Sequence, residues 1–161
     1  MPAAEDAKIN AAMTAIQHAD AKSFLRTGAN DLVFRVCNSF LDENGYPQIP
    51  KDYEALLRHS CGIMGPYFTL LGTGGMEMAG GGLQPGLLEE SESFNRWNDD
   101  DEPKVLVVGK MSGGVVIIHK DGKYHVIDES SRDVFRTYDD IADFIIDTIA
   151  RKDKAAREAA G

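Results

Sequence analysis

At 161 residues, with 43% hydrophobic and 27% charged side chains, the sequence has the balance of a globular chain and the length for one domain with a proper core. Its formal net charge of -9 disfavours direct binding to nucleic-acid phosphates or an anionic membrane and favours a basic protein partner, beside the plain reading that the charge serves solubility. The acidic start, the lack of any long apolar run, and two distant cysteines in no CxxC pattern argue against export and a disulfide scaffold, and point to a reducing cytoplasm.

The first half reads as helical. Ile9, Met13 and Ile16 recur at helical spacing within an N-terminal segment, 1–29. Leu32, Val33, Val36, Cys37, Phe40 and Leu41 form a cleaner stripe behind a cap at Asn30 or Asp31, which predicts a buried face holding Cys37 as a small apolar residue. After the turn-like Glu43-Asn44-Gly45-Tyr46-Pro47, a third helix is expected near Pro50, with Tyr53, Leu56 and Leu57 inward. Tyr67 to Leu71 is a strand candidate. From Gly72 to Gly86 seven of fifteen residues are glycine, too costly in backbone entropy for a regular element, so a mobile loop is expected.

A helix is then expected from about Pro85 to Trp97, with Leu87, Leu88, Ser91, Phe94 and Trp97 near one face, closed by the acidic loop Asn98-Asp99-Asp100-Asp101-Glu102-Pro103. Val105 to Val108 is an apolar strand, Gly109 to Gly114 a turn, and Val115 to Lys120 and Lys123 to Asp128 flank Asp121-Gly122 as a two-residue hairpin. This spacing predicts a three-stranded antiparallel meander. A last helix near Tyr138 buries Ile141, Phe144, Ile145 and Ile149, and the tail 151–161 is expected to be a solvated helical extension that frays.

The chemical motifs fail one by one. A Walker phosphate loop built on Gly109-Lys110 needs glycine where Lys104 stands and Ser or Thr where Met111 stands. A dinucleotide fingerprint in the glycine-rich stretch needs glycine where Glu77 or Pro85 stands. With a two-residue turn at Asp121-Gly122, His119 faces Tyr124 and Ile118 faces His125, so the two histidines point to opposite faces and share no metal. Ser112 lacks the first glycine of a nucleophile elbow, because Lys110 is there. His59 and Cys61, two residues apart, do not face each other on a helix.

Glu89, Glu90 and Glu92 lie close in sequence to Asp99, Asp100, Asp101 and Glu102, and this run lacks the alternating ligand spacing of a calcium loop. It reads either as a solvated acidic face or as a protein-binding surface with Trp97 as its aromatic anchor. These eight residues are the candidate partner-binding set. No catalytic, cofactor-binding or metal-ligating set is expected.

The order of pieces carries a resemblance. An amphipathic helix, then Ile49-Pro50-Lys51-Asp52-Tyr53-Glu54-Ala55-Leu56-Leu57, a glycine-rich middle, an acid-rich helix, Val105-Leu106-Val107-Val108-Gly109, a hairpin ending Tyr124-His125-Val126-Ile127-Asp128, and a closing helix together resemble the SUKH superfamily over roughly residues 30–150. That superfamily includes fungal cell-wall assembly regulators and many bacterial toxin-immunity proteins. The chain departs from it at Cys61-Gly62, where Asn-Gly is frequent, and at Lys110-Met111, where Asp or Gly is frequent. The resemblance implies a non-enzymatic α+β domain over 1–161, an antiparallel sheet with helices packed against it, that binds another protein. In bacterial members the partner is commonly a secreted toxin, often a nuclease, blocked in the cytoplasm. An acidic inhibitor gains association rate toward such a basic partner. Two other readings stay open: an intracellular adaptor of the same fold, and a small-molecule-binding domain or enzyme using 72–86 as a lid.

Overall fold

A computed structural model describes residues 4–77, 81–96, 98 and 102–160. From the N-terminus, helix α1 (Ala4–His18) leads through strand β1 (Phe24–Leu25) into helices α2 (Asp31–Glu43) and α3 (Lys51–His59). Short strands follow at β2 (Ile63–Met64), β3 (Thr69–Leu70), β4 (Met76–Glu77) and β5 (Leu83–Gln84), then helix α4 (Leu87–Asn95). The last third holds β6 (Leu106–Met111), β7 (Gly114–Ile118), β8 (Tyr124–Asp128), β9 (Val134–Tyr138) and helix α5 (Ile141–Ala160).

The fold is α+β, and the meander is its centre. Strands β6, β7 and β8 pair antiparallel as the spacing predicts, and β9 adds a fourth strand to them. On the other side β3, β2 and β1 extend the sheet to seven strands in the order β1-β2-β3-β6-β7-β8-β9. Strand β7 is buried throughout, because its Val115, Val116, Ile117 and Ile118 are covered on both faces. Ile118, Tyr124 and Tyr138 stand level across three strands and so share a face. On that face the Tyr124 hydroxyl donates to Asp52 of α3 (2.8 Å), and the Tyr138 ring meets Phe144 of α5 edge-on at 5.6 Å. Helices α1, α3 and α5 pack together there.

Tyr53 ties this layer to the sheet. The ring is wholly buried; its hydroxyl donates to the Leu71 carbonyl at 2.6 Å, with the Val108 carbonyl at 2.9 Å. Asp52 beside it accepts from Tyr124 and from the Ile141 amide at the start of α5 (2.8 Å), so adjacent residues of one helix hold two other elements in place.

Six local expectations are corrected, the first being the turn over 109–114: β6 continues to Met111 and β7 starts at Gly114, so only Ser112 and Gly113 connect them, with positive φ (73°) at Gly113. Helix α2 begins at the expected cap, with the Asn30 side chain accepting from Val33 N, but it is rotated relative to the expected stripe. Phe34, Cys37 and Leu41 are buried, while Leu32, Val36 and Phe40 are 62%, 63% and 42% exposed. The cause is Asn38, which donates to Glu54 of α3 (3.0 Å) and accepts from the Ile49 amide (2.9 Å), fixing which side of α2 meets the rest of the chain.

The glycine-rich stretch contains an antiparallel ribbon, β4 paired with β5, rather than a structureless loop. Its glycines serve close approach: a Cβ at Gly72 would lie 2.4 Å from the Cys61 carbonyl oxygen, and one at Gly86 would lie 2.9 Å from the Gly74 backbone. Met76 of the ribbon is buried.

The β7–β8 connection is a loop over 119–123, not a two-residue turn, since Ile118 pairs with Tyr124 and Ile117 with His125. A two-residue turn of the Asp-Gly type needs positive φ at both central residues. Here Gly122 has it (φ 77°) and Asp121 does not. Asp121 instead accepts from Lys123 N (2.9 Å), and Gly122 N donates to His119 O (3.0 Å).

The shifted register brings His119 and His125 together, ring centroids 5.1 Å apart, where opposite faces were expected. The tail is also held. Asp153 is buried, accepting from the Tyr67 hydroxyl and the Asp20 amide, and Arg157 forms a two-pronged pair with Asp20 at 2.9 and 3.0 Å. Beyond Asp153 the helix surface is exposed, as expected.

Candidate protein-binding surface

Helix α4 carries three of the candidate acids, and its seat explains which of them reach solvent. Strand β3 is only two residues long, so the N-terminal half of β6 has no strand on that side. Side chains of α4 replace it. Ser91 Oγ accepts from Val107 N (2.8 Å); Asn95 accepts from Val105 N (2.9 Å) and donates to Val105 O (2.8 Å). Buried Leu87 and Ser91 therefore face the sheet, and Glu89 and Glu92 face outward. Both Glu89 and Glu90 lie in the first turn, where the helix dipole favours negative charge.

Glu90 is not free. Lys110 of β6 pairs with it at 2.9 Å and Gln84 donates to it at 3.2 Å, leaving Glu90 half-buried between α4 and the sheet. Glu102 is exposed. Trp97, Asp99, Asp100 and Asp101 lie outside the described residues. Just after them, Lys104 Nζ donates to Asn44 O (2.8 Å) at the end of α2 and sits 4.8 Å from the Tyr46 ring centre. Burial pushes the Tyr46 phenol above its usual range, and the nearby charge of Glu92 adds to this. The structure thus brings Glu92 close to the α2–α3 connection.

Arg132 closes the far end of α4, and nothing in the sequence marked it. It is the one non-glycine residue of positive φ (62°) among the described residues. Its guanidinium donates to the Phe94 carbonyl (3.1 Å) and to Asn98 (2.6 Å), satisfying an acceptor at the helix C-terminus.

Cys37 is buried and its thiol is pushed up to about 11 by burial, with Cys61 adding to the shift. Cys61 Sγ lies 3.3 Å from the Thr73 hydroxyl. His125 contacts Thr137 and Asp121 at 3.0 Å each, while burial, and then the neighbouring His125, lower the His119 pKa. Among the described residues no group of three or more His, Cys, Asp or Glu side chains is arranged to hold a metal ion, and no helix is long and apolar enough to cross a membrane.

No family model, curated protein or solved structure matches the chain.

Proposed function

We propose that the chain is a non-enzymatic protein-binding domain, an immunity protein that neutralises a cognate basic toxin domain by direct binding in the cytoplasm of the producing cell. The observation that carries this reading is the outward presentation of Glu89, Glu92 and Glu102 on and beside a helix bonded to the sheet, in a chain of net charge -9. Fixed acids of one sign steer a basic partner and lose little freedom on binding it. A nuclease is the toxin class this charge fits, since a protein that attracts phosphates offers the complementary sign. The likeness of the Pro50-to-Leu57 segment and the meander to the SUKH superfamily supports the same reading.

The test is capture on the immobilised chain from a lysate of its source organism at low salt, with mass spectrometry of what binds. The expected result is a basic protein that salt releases, whose expression is toxic and whose toxicity disappears when this chain is co-expressed. A specific partner that is harmless when expressed, or whose binding ignores salt, removes the immunity reading.

A further inference from the structure

The outer face of α2 carries three exposed apolar side chains that the acidic surface does not use. Leu32, Val36 and Phe40 follow one another at four-residue spacing and form a ridge along the helix. Side by side with it runs a second ridge, Arg35, Ser39 and Glu43, also exposed. The two enclose a shallow groove of about 370 Å³ lined by Arg35, Val36, Ser39, Phe40 and Glu43.

The charges select the occupant. Arg35 and Glu43 are eight residues apart, about 12 Å along the axis, too far to pair within one helix. Neither forms an ion pair among the described residues, whereas Asp31 and Glu54 nearby are both engaged by Arg58. The two opposite charges stand equally far to either side of Ser39, a small residue that lets another helix approach. A second α2 laid antiparallel across Ser39 brings each Arg35 to the other copy's Glu43, twice over by the two-fold axis. A parallel arrangement would instead set Arg35 against Arg35.

We propose that two copies of this chain associate through an antiparallel contact of their α2 helices, centred on Ser39, with Arg35 of each copy against Glu43 of the other and the Leu32-Val36-Phe40 ridges of the two copies side by side. The surface is separate from α4 and the inference does not depend on what the acidic face binds. Other exposed apolar side chains are Phe24 and Leu25 on the short edge strand β1, Leu83 on β5, Ile146 on α5, and Val134 and Phe135 on β9; the β9 pair lies on a sheet-edge strand with a bulged register and Arg136 in its middle, devices that oppose edge-to-edge pairing.

Sedimentation velocity over a concentration series, on the full chain alone, decides it. The native chain is expected to show a concentration-dependent monomer–dimer equilibrium. Val36→Glu, whose side chain is exposed in the monomer, should leave the circular dichroism spectrum unchanged and abolish the dimer. Arg35→Glu and Glu43→Arg, each alone, should raise the dissociation constant at least about tenfold, because like charges then meet twice. The double variant Arg35→Glu/Glu43→Arg restores both pairs and should regain dimerisation. A native chain that stays monomeric at every concentration, a dimer that survives Val36→Glu, or a double variant no tighter than the single ones overturns the proposal.

Discussion

The Arg132 guanidinium lies 3.9 Å from the centre of the Phe94 ring, stacked on the last turn of α4 while it donates to the Phe94 carbonyl. To reach it, the β8–β9 connection holds Arg132 in the left-handed region, at a cost of about 1–2 kcal/mol for a residue with a Cβ. The stack and the charge-assisted bonds offset that cost. Arg132→Ala keeps the strain and loses the contacts, so it should destabilise the fold by about 1–3 kcal/mol in urea titration. Arg132→Gly also loses the contacts but relieves the strain, and should be the milder of the two by about 0.5–1 kcal/mol. A glycine variant less stable than the alanine one would contradict this account.

Tyr53→Phe removes one hydroxyl from a fully buried site, leaving the Leu71 and Val108 carbonyls without that donor. The expected loss is about 1–3 kcal/mol, with the meander retained in the far-ultraviolet spectrum. Unchanged stability would mean that the hydroxyl carries no weight in joining α3 to the sheet.

Asp140 supplies an acid-sensitive support for α5. Its carboxylate accepts from the Asp143 amide at the helix start (2.8 Å) and pairs with Lys8 of α1 (2.6 Å). Burial pulls its pKa upward, but the bonds from Lys8 and Asp143 outweigh this and hold it below the ordinary carboxylate value of 3.8. A depressed folded pKa stabilises the fold above the unfolded value, and that contribution fades as pH falls through the folded one. The stability gap between the native chain and Asp140→Asn should therefore be widest near neutral pH and narrow below about pH 4.

Cys37 should resist a thiol reagent in the folded state. Its thiol ionises near pH 11, against 9.0 for an unperturbed one, and it is buried, whereas Cys61 is partly exposed. At pH 8, labelling of the folded chain should occur at Cys61, with Cys37 following only on denaturation. Peptide mapping of the label checks this.

The acidic surface makes a kinetic prediction. Neutralising Asp99, Asp100 and Asp101 together should slow association with a captured basic partner by about tenfold at low salt and flatten its salt dependence. Trp97→Ala, which removes contact area and no charge, should act mainly on dissociation. Unchanged association of the triple variant would move the search away from this segment.

What the sequence made legible was decided locally. The meander followed from apolar runs separated by glycine-bearing turns. The cap at Asn30, the start of α3 at Pro50 and the burial of Tyr53 and Cys37 each followed from a few neighbouring residues. The rotation of α2 did not, because Leu32-Val36-Phe40 and Phe34-Cys37-Leu41 are both apolar at helical spacing, and the choice between them rests on Asn38 reaching Glu54 in another helix. Strands β1 and β2 are two residues long, too short for any alternation, and β9 is mostly exposed, so it lacks an apolar face to read. At His119 and His125 the whole question of shared or opposite faces turned on one φ angle at Asp121. The acids of α4 were visible, but not the engagement of Glu90 by Lys110, which requires knowing that α4 lies along β6.

The substitution of α4 side chains for a strand beside β6 has a consequence for solvent exchange. The amides of Val105 and Val107 bond to Asn95 and Ser91, not to another strand, so they gain shelter from deuterium only while α4 stays seated. Neighbouring amides of β7 and β8 have their own ladder and report on the sheet as a whole. The difference between the two sets is then a direct gauge of how often the acidic helix lifts away from the protein, readable residue by residue and without a partner in the tube.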